Sequence, residues 1–503
     1  MSQARERLRR ICIAGSGQVA VITALALRRT VPDTEVVVLG LPGDPAAYAD
    51  RAATALPYTN KLHDRIGITE EAIIQQAAGS HRLLMRYFGW GAEGQSGAMP
   101  YGAQLDAQWR TRFAKEWGGG PRNAAGRRPA GSLAEVLADA ARFAVPPGDM
   151  PTPLDDIDYA LRWNMPAYRD LMVSIAQQLG VNHVVGDIAA LEPNGQGGIA
   201  SVAVEQQGQI QGKIEADLFV DCSGPAARLL SALPEAKRMD WSTFLPALRL
   251  LHGKPQQGML ALEDRASLLP EGWLVEFAGA DGLQITLGLA ESISEQDALQ
   301  ALGVEPAEMV TLAQGCAKDA WAGNVVALGD AAASFEPLGH LNLDLAHRQL
   351  GLLLEMLPGR VVEPLERAEF NRRAALMAQQ VRDTLATHYV APRARGVFGE
   401  KPLPESLLHV LDQYTRRGRL PFREEAALLN QEYMALLGAL GFPAGVTPQS
   451  QSQDPGEAEA ARTAFEVQAR QALQFAPPYQ QFMAQMMQPQ QPADSGIAGD
   501  LQY

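Results

Sequence analysis

The segment RICIAGSGQVAVITALALRRTVPDTEVVVLG, residues 10–40, limits what this chain can fold into more than any other part of it. Ile11 to Ala14 is apolar and partly β-branched, Val19 to Leu27 is helical in pattern, and Glu35 to Leu39 is β-branched again. Between the first strand and the helix lies Gly15-Ser16-Gly17-Gln18-Val19-Ala20, which fits the G-x-G-x-x-G/A turn of a βαβ unit. In such a turn the first glycine allows the tight bend and the second lets backbone approach a pyrophosphate. The alanine lets helix and strand pack closely, and the helix N-terminus supplies N–H donors. The fold class implied is α/β, Rossmann-like, with these six residues as candidate cofactor-binding positions. The second strand, however, ends in Leu39-Gly40, where an acidic residue for the adenosine ribose hydroxyls is expected. Asp44 is the carboxylate that could reach back, and the simpler implication is weaker binding of an adenine nucleotide.

Downstream, Leu171, Ile175 and Leu179 recur every four residues and predict a helix over Ala167 to Leu179, leading into a strand in HVVGDIAAL. GIASVAVEQQGQIQGKIEADLFVDCSG reads as a hairpin followed by a buried strand from Leu218 to Val220. Residues 87–153 are rich in aromatics and loops, and EWGGGPRNAAGRRPAGS within them reads as a flexible excursion. A second mixed region, about 239–320, ends in GWLVEFAGADGLQITLGLA, a hairpin with Asp281-Gly282 at its turn. NVVALGDAAASFEP returns to the sheet, and helical periodicity dominates from about 341 to 440. The expected organisation is one module over 1–440 with two interleaved insertions. Residues 441–503 add a polar linker, a short helix and a fraying tail whose FMAQMMQ offers Phe and Met side chains for docking.

Composition excludes several classes. A net charge of −14 disfavours binding to nucleic acid or to an anionic membrane surface. Three widely spaced cysteines form no CxxC pair, and the eight histidines form no i, i+3 or i, i+4 ligand pair, so no metal site is expected. There is no GxSxG and no GxxxxGK[ST]. The basic start followed by an apolar stretch is not a signal peptide, because Gly15 to Gln18 interrupts the run and Arg28-Arg29 ends it. No segment approaches the roughly 18 uninterrupted apolar residues of a membrane span. A reducing cytoplasm fits best.

The glycine turn, WNMPAYRDLMVSIAQQLGV, ADLFVDCSG and NVVALGDAAASFEPL, in that order, resemble the flavin-dependent tryptophan halogenases over most of the chain to about residue 440. DLFVDCSG is the most specific of these segments, and TALPYTNKLHDRIGI is similar in spacing. The resemblance implies a flavin-binding module with a helical substrate-binding insertion. It implies reduced FAD, oxygen and halide as reactants, a separate flavin reductase, and an aromatic substrate halogenated under the direction of a lysine. It also places Gly329, Asp330, Pro337 and Leu338 beside the flavin.

The departures cluster at the chemistry. Arg51-Ala52-Ala53-Thr54 stands where the family has Gly-Glu before Ala-Thr, and Arg82 falls at the family's lysine. A guanidinium stays protonated and is a poor nucleophile, so a haloamine route is disfavoured. The alternative for Arg82 is a solvated helix residue near Arg86. Trp273 matches the first tryptophan of the family's WxWxIP signature, but Val275 and Ala278 replace the second tryptophan and the proline. Gly339 takes the place of a carboxylate, and His340-Leu341 that of a hydroxyl pair. His340 reads either as a base or as a solvated cap, and Asp344 as a charge complementing a helix dipole. Three functions remain: an active halogenase using Arg82, another FAD-dependent oxidoreductase such as an aromatic monooxygenase, or a non-catalytic paralogue. The last acts by association with a complete halogenase-type partner, or else the chain is a homodimer. The pattern of kept core motifs and lost reactive residues favours the non-catalytic reading.

Overall fold

Ile11, Cys12, Ile13 and Ala14 have no solvent exposure, which suits a strand in the middle of a sheet covered on both faces. The structure is a computed structural model, and it describes residues 6–91, 94–102, 131–148, 150–448 and 455–488. In it β1 (Arg10–Ala14) lies between Leu218–Asp221 and β2 (Glu35–Gly40). The full order of this six-stranded sheet is Trp321–Ala322, Val325–Ala327, Leu218–Asp221, β1, β2 and Asn182–Val185. All neighbours run parallel except the edge strand Trp321–Ala322. Helix α1 (Gln18–Thr30) follows β1 and buries every residue from Gln18 to Leu27. The βαβ opening expected from the sequence is therefore present, with α1 three residues longer at its end.

A seven-stranded sheet stands beside this layer, in the order Pro306–Thr311, Arg249–Gly253, Leu283–Leu289, Gly272–Ala278, Glu263–Leu269, Leu84–Phe88 and Ser96–Pro100. Its hairpin pairs Ala278 with Leu283, which places Asp281-Gly282 in the turn as expected. A short strand, β3 (Ser80–Arg82), pairs antiparallel with Ala160–Arg162, Arg82 opposite Ala160. This corrects the reading of Arg82 as a solvated helix residue: it is on a strand and has no exposure.

Helices fill 342–439, beginning with α3 (Asn342–Glu355), as the periodicity anticipated. Toward the C-terminus the helices are Pro455–Phe475 and Tyr479–Met486. Tyr479, Phe482, Met483 and Met486 share one face by their i, i+3 and i+4 spacing and pack on an apolar cluster with Leu133, Leu137, Phe143 and Leu154. The expectation that FMAQMMQ displays its apolar side chains is thus corrected, with Met487 the exposed exception. Most of EWGGGPRNAAGRRPAGS, residues 449–454 of the linker and residues 489–503 lie outside the described residues. Among the described residues no helix is long and apolar enough to cross a membrane.

Gly15 anchors the junction of β1 and α1. Its φ is +150°, and an added Cβ would lie 2.4 Å from the Cys222 carbonyl oxygen, a backbone group held in register by the β1 pairing. Gly15→Ala is expected to lower the unfolding free energy by about 1–3 kcal/mol. Urea denaturation followed by tryptophan fluorescence measures this, and an unchanged midpoint would reject the turn geometry.

Candidate functional site

In an open parallel sheet the ligand cleft lies beyond the carboxyl ends of the central strands. Gly15 to Ala20, Gly329 and Asp330 converge there, and the chain places its own helix α2 (Tyr48–Arg51) against them. Val19 donates its backbone N–H to Asp50 Oδ1 at 3.0 Å, and a Cβ on Gly17 would lie 1.9 Å from the Asp50 Cγ. Gln18 Nε2 donates to the carbonyls of Ala49 (2.8 Å) and Ala52 (2.7 Å). Across the cleft, Ala49 donates its N–H to Asp330 Oδ2 at 2.7 Å. A Cβ on Gly224 would meet Ala47 at 3.2 Å and Asp44 at 3.4 Å. Asp44 accepts the N–H of Ala46 at 2.8 Å and so caps its own turn.

Burial pushes the Asp50 carboxyl up to about 6, against the opposing pull of the Val19 N–H and Arg169. Asp330 is raised well above the usual carboxylate range, first by burial and further by the carboxylates of Asp50 and Asp44. Asp221, of the DCSG segment, is occupied within its own turn: it accepts from the N–H groups of Leu229 (2.8 Å), Leu230 (2.9 Å) and Ser223 (3.0 Å).

A second cluster lies under β3. Arg82 Nη1 donates to Asp264 Oδ2 at 3.2 Å and Nη2 donates to the Ala55 carbonyl at 3.1 Å. Arg162 Nε donates to Asp264 Oδ1 at 3.0 Å, and its Nη1 reaches the carbonyls of His81 and Ala261, each at 2.7 Å. Ala278 adds a backbone N–H to Asp264 Oδ1 at 3.0 Å. All three charged side chains are buried. Burial alone would raise the Asp264 carboxyl, but Arg162 and Arg82 hold it at about 2.

Pro337 and Leu338 lead into this cluster through a tight turn with Gly339 at φ +79° and His340 at φ +57°. His340 Nε2 sits 3.5 Å from Asp264 Oδ2 and its ring meets Phe277 edge-on. Burial, then the Arg82 charge, lowers its pKa to about 3. The imidazole is therefore uncharged near pH 7 and largely enclosed, which corrects the solvated cap considered from sequence. Asp344 does stand in the first turn of α3, but it is buried and pushed up to about 6 by that burial. It is mostly uncharged below that pH.

Glu336 completes the site floor. Tyr389 donates its hydroxyl to Glu336 Oε1 at 2.5 Å, Gln314 Nε2 donates to Oε2 at 3.1 Å, and Trp273 Nε1 donates to the Tyr389 oxygen at 2.9 Å. Burial pushes the Glu336 carboxyl up to about 8. Trp273 is fully buried, its indole lying where a Cβ on Gly288 would come within 2.1 Å.

The sequence profile described as tryptophan halogenase matches residues 10–455. The chain belongs to the tryptophan halogenase family. Among curated relatives, the tryptophan 7-halogenase KtzQ of Kutzneria sp. (strain 744) is 25% identical over 452 residues, 82% of this chain and 83% of the relative. The tryptophan 7-halogenase RebH of Lentzea aerocolonigenes is 22% identical over 501 residues, 87% of this chain and 90% of the relative. Among solved structures, the flavin-dependent halogenase Xcc4156 from Xanthomonas campestris superposes with a TM-score of 0.84 at 21% identity, covering 96% of this chain and 99% of that one. BrvH, a flavin-dependent halogenase from Brevundimonas sp. BAL3, gives 0.82 at 22% identity, covering 95% and 99%. The α/β flavoprotein fold is that of these halogenases.

The family's cofactor is FAD, and the cleft in this chain can be tested against it. The first helical N–H groups behind Gly17 are what a pyrophosphate would use, and a carboxylate already stands there. The residues as placed do not fit the group, and no chemical step is derived through it.

Asp50, Asp264, Arg162, Glu336 and Tyr389 were not singled out from sequence. Each is a single polar residue whose partners come from distant segments, so no local spacing marks it. Glu336 alone carried a signal, as a carboxylate inside the apolar run ending in Pro337-Leu338.

Two variants test this arrangement. Asp264→Asn leaves two buried guanidinium groups without their counter-charge and is expected to cost about 3–5 kcal/mol in urea unfolding. Asp264 contributes stability that is present above pH 3.8 and lost as pH falls toward 2. Glu336 has the opposite sign, because its folded form holds a proton between 4.5 and about 8. Relative to Glu336→Gln, the wild type should lose up to about 1.4 kcal/mol per pH unit as pH rises through that window. Parallel stability–pH curves for the two proteins would contradict the buried neutral acid.

Proposed function

We propose that this chain is a halogenase-fold protein that does not itself halogenate, and that it acts as the accessory partner of a complete halogenase-type paralogue. The observation that carries the reading is the enclosure of Arg82. At the position the resemblance assigns to the directing lysine stands a guanidinium with no solvent exposure, bound to Asp264 and to the Ala55 carbonyl. A protonated guanidinium is a poor nucleophile for haloamine formation, and both Nη atoms of Arg82 are already engaged by Asp264 and the Ala55 carbonyl. Gly339, His340 and Leu341, in place of a carboxylate and two hydroxyls, point the same way, because the neutral His340 is too weak a base to take a proton near pH 7.

Partner association is supported by three large apolar side chains left exposed to solvent. Leu365 is 85% and Phe422 91% exposed, with Val361 at 73%. Leu365 begins helix Pro364–Tyr389, and the loop of Phe422 is tied to that helix by the Arg372–Glu424 ion pair.

A second reading, an FAD-dependent oxidoreductase acting on an indole or other aromatic substrate, is favoured by Val275 and Ala278 at the WxWxIP positions. Family members work with a flavin reductase and an aromatic substrate, so one assay separates the readings. The purified chain is incubated with tryptophan or indole, a flavin reductase, NADH, FAD and bromide, and products are followed by mass spectrometry. Neither brominated nor hydroxylated product is expected. Bromination would overturn the accessory reading, and hydroxylation would establish the second one. Co-expression with a paralogue carrying the lysine should yield a hetero-oligomer by light scattering, and strict homo-oligomers would count against the partner role.

A further inference from the structure

The cofactor cleft of this fold is filled from within, by residues 44–52. We infer that the chain ligates its own nucleotide site, the Asp50 carboxylate standing against the N-terminus of α1 as an internal replacement for a dinucleotide pyrophosphate, so that the folded protein excludes FAD. The inference rests on the halogenase-fold reading of the cleft, but it concerns binding and can fail independently of catalysis.

The geometry argues for replacement and not for incidental contact. Asp50 accepts the Val19 N–H, which is one of the donors the glycine turn offers an anion. It lies so close over Gly17 that any Cβ there would overlap it, at 1.9 Å. The glycine that normally makes room for a phosphate here makes room for a side chain. The neighbours of Asp50 hold the segment in place. Gln18, itself part of the glycine turn, donates to Ala49 and Ala52, and Asp330, from the opposite wall, accepts from Ala49. Tyr48 is hydrogen-bonded to His252 at 2.7 Å and Arg51 is paired with Glu308, which fasten the outer side.

Charge adds to shape. An incoming pyrophosphate would meet the buried Asp50 carboxylate, with the half-buried Asp44 nearby. Arg169, a cation at the turn, already donates from Nε to the Ser16 carbonyl at 2.6 Å and lies 3.5 Å from the Asp170 carboxylate. Because Asp50 is tethered, its effective concentration at α1 exceeds that of any free nucleotide at physiological level. Open space does remain next door. A groove of about 430 Å³ is lined by Ser16, Gly40, Leu41, Arg169 and His183 at the ends of β2 and the following strand. Val21 of α1 also lines it, so this open space continues from the glycine turn toward the nucleoside side of such a cleft.

The test is FAD binding by full-length protein near neutral pH, read by flavin fluorescence anisotropy, for wild type, Asp50→Asn and Asp50→Gly. Wild type is expected to give no rise with FAD in large excess. Both variants should bind, Asp50→Gly more tightly, each with at least about a tenfold gain. Circular dichroism reports folding, and if Asp50→Gly is unfolded the isosteric Asp50→Asn decides. Stoichiometric FAD binding by wild type, or two folded variants that bind no better than wild type, would overturn the inference. Hydrogen exchange on the wild type gives an independent check: the Val19 and Ala49 amides should be protected without any ligand, and rapid exchange at both would refute the self-ligated state. Wild type that binds FAD but yields no product defeats this inference and spares the accessory reading. An FAD-loaded Asp50→Asn that brominates indole does the reverse.

Discussion

Asp264 joins, through one carboxylate, four stretches of chain that are far apart in sequence: Arg82 on β3, Arg162 on its partner strand, the Ala278 N–H at the end of the hairpin, and His340 on the turn before α3. Two guanidinium groups in a dry interior are tolerable only with a counter-charge and with acceptors for their remaining N–H groups. The chain supplies the carbonyls of Ala55, His81 and Ala261 for that purpose. Once these bonds are made, Arg82 and Arg162 are part of the core. Arg82 ties β3 to the strand of Asp264 and to the backbone of residue 55.

The same logic extends to the cofactor cleft through residues 48–55. At one end of this stretch Asp50 is seated on α1, and at the other the Ala55 carbonyl accepts from Arg82. Thr54 hydroxyl donates to the Leu161 carbonyl at 2.6 Å, beside Arg162. The segment that covers the glycine turn and the cluster that encloses Arg82 are therefore one connected structure. The contacts of Asp50 and those of Arg82 are thus made by neighbouring parts of one segment. A buried polar network of this kind is stable only when nearly complete, which favours keeping both features together.

Legibility from sequence divided along a physical line. The βαβ opening, the hairpin around Asp281-Gly282 and the helices of 342–439 were readable because each is written in local periodicity and turn chemistry. Arg82 was read against the wrong local alternative, since a three-residue strand carries too little periodicity to be told from a helix turn. The FMAQMMQ helix misled for a related reason: its apolar residues occur at i, i+3 and i+4 whether or not a partner face exists inside the chain. Asp50 was invisible altogether, as one carboxylate in a single helical turn with no motif around it.

By itself, the sequence determined the ancestry and the scaffold of this protein, because glycine turns, strand alternation and helix periodicity depend on neighbours only a few residues away. It also placed an arginine at position 82 and Gly-His-Leu at 339–341, the residues on which the proposed function turns. What those residues meet was decided by tertiary structure alone. Whether Arg82 meets solvent or a carboxylate, and whether Gly17 faces open space or Asp50, depends on contacts made across 182 and about thirty residues of chain respectively. Coulombic and hydrogen-bonding partners of that kind are chosen by distance in space, which no local pattern encodes.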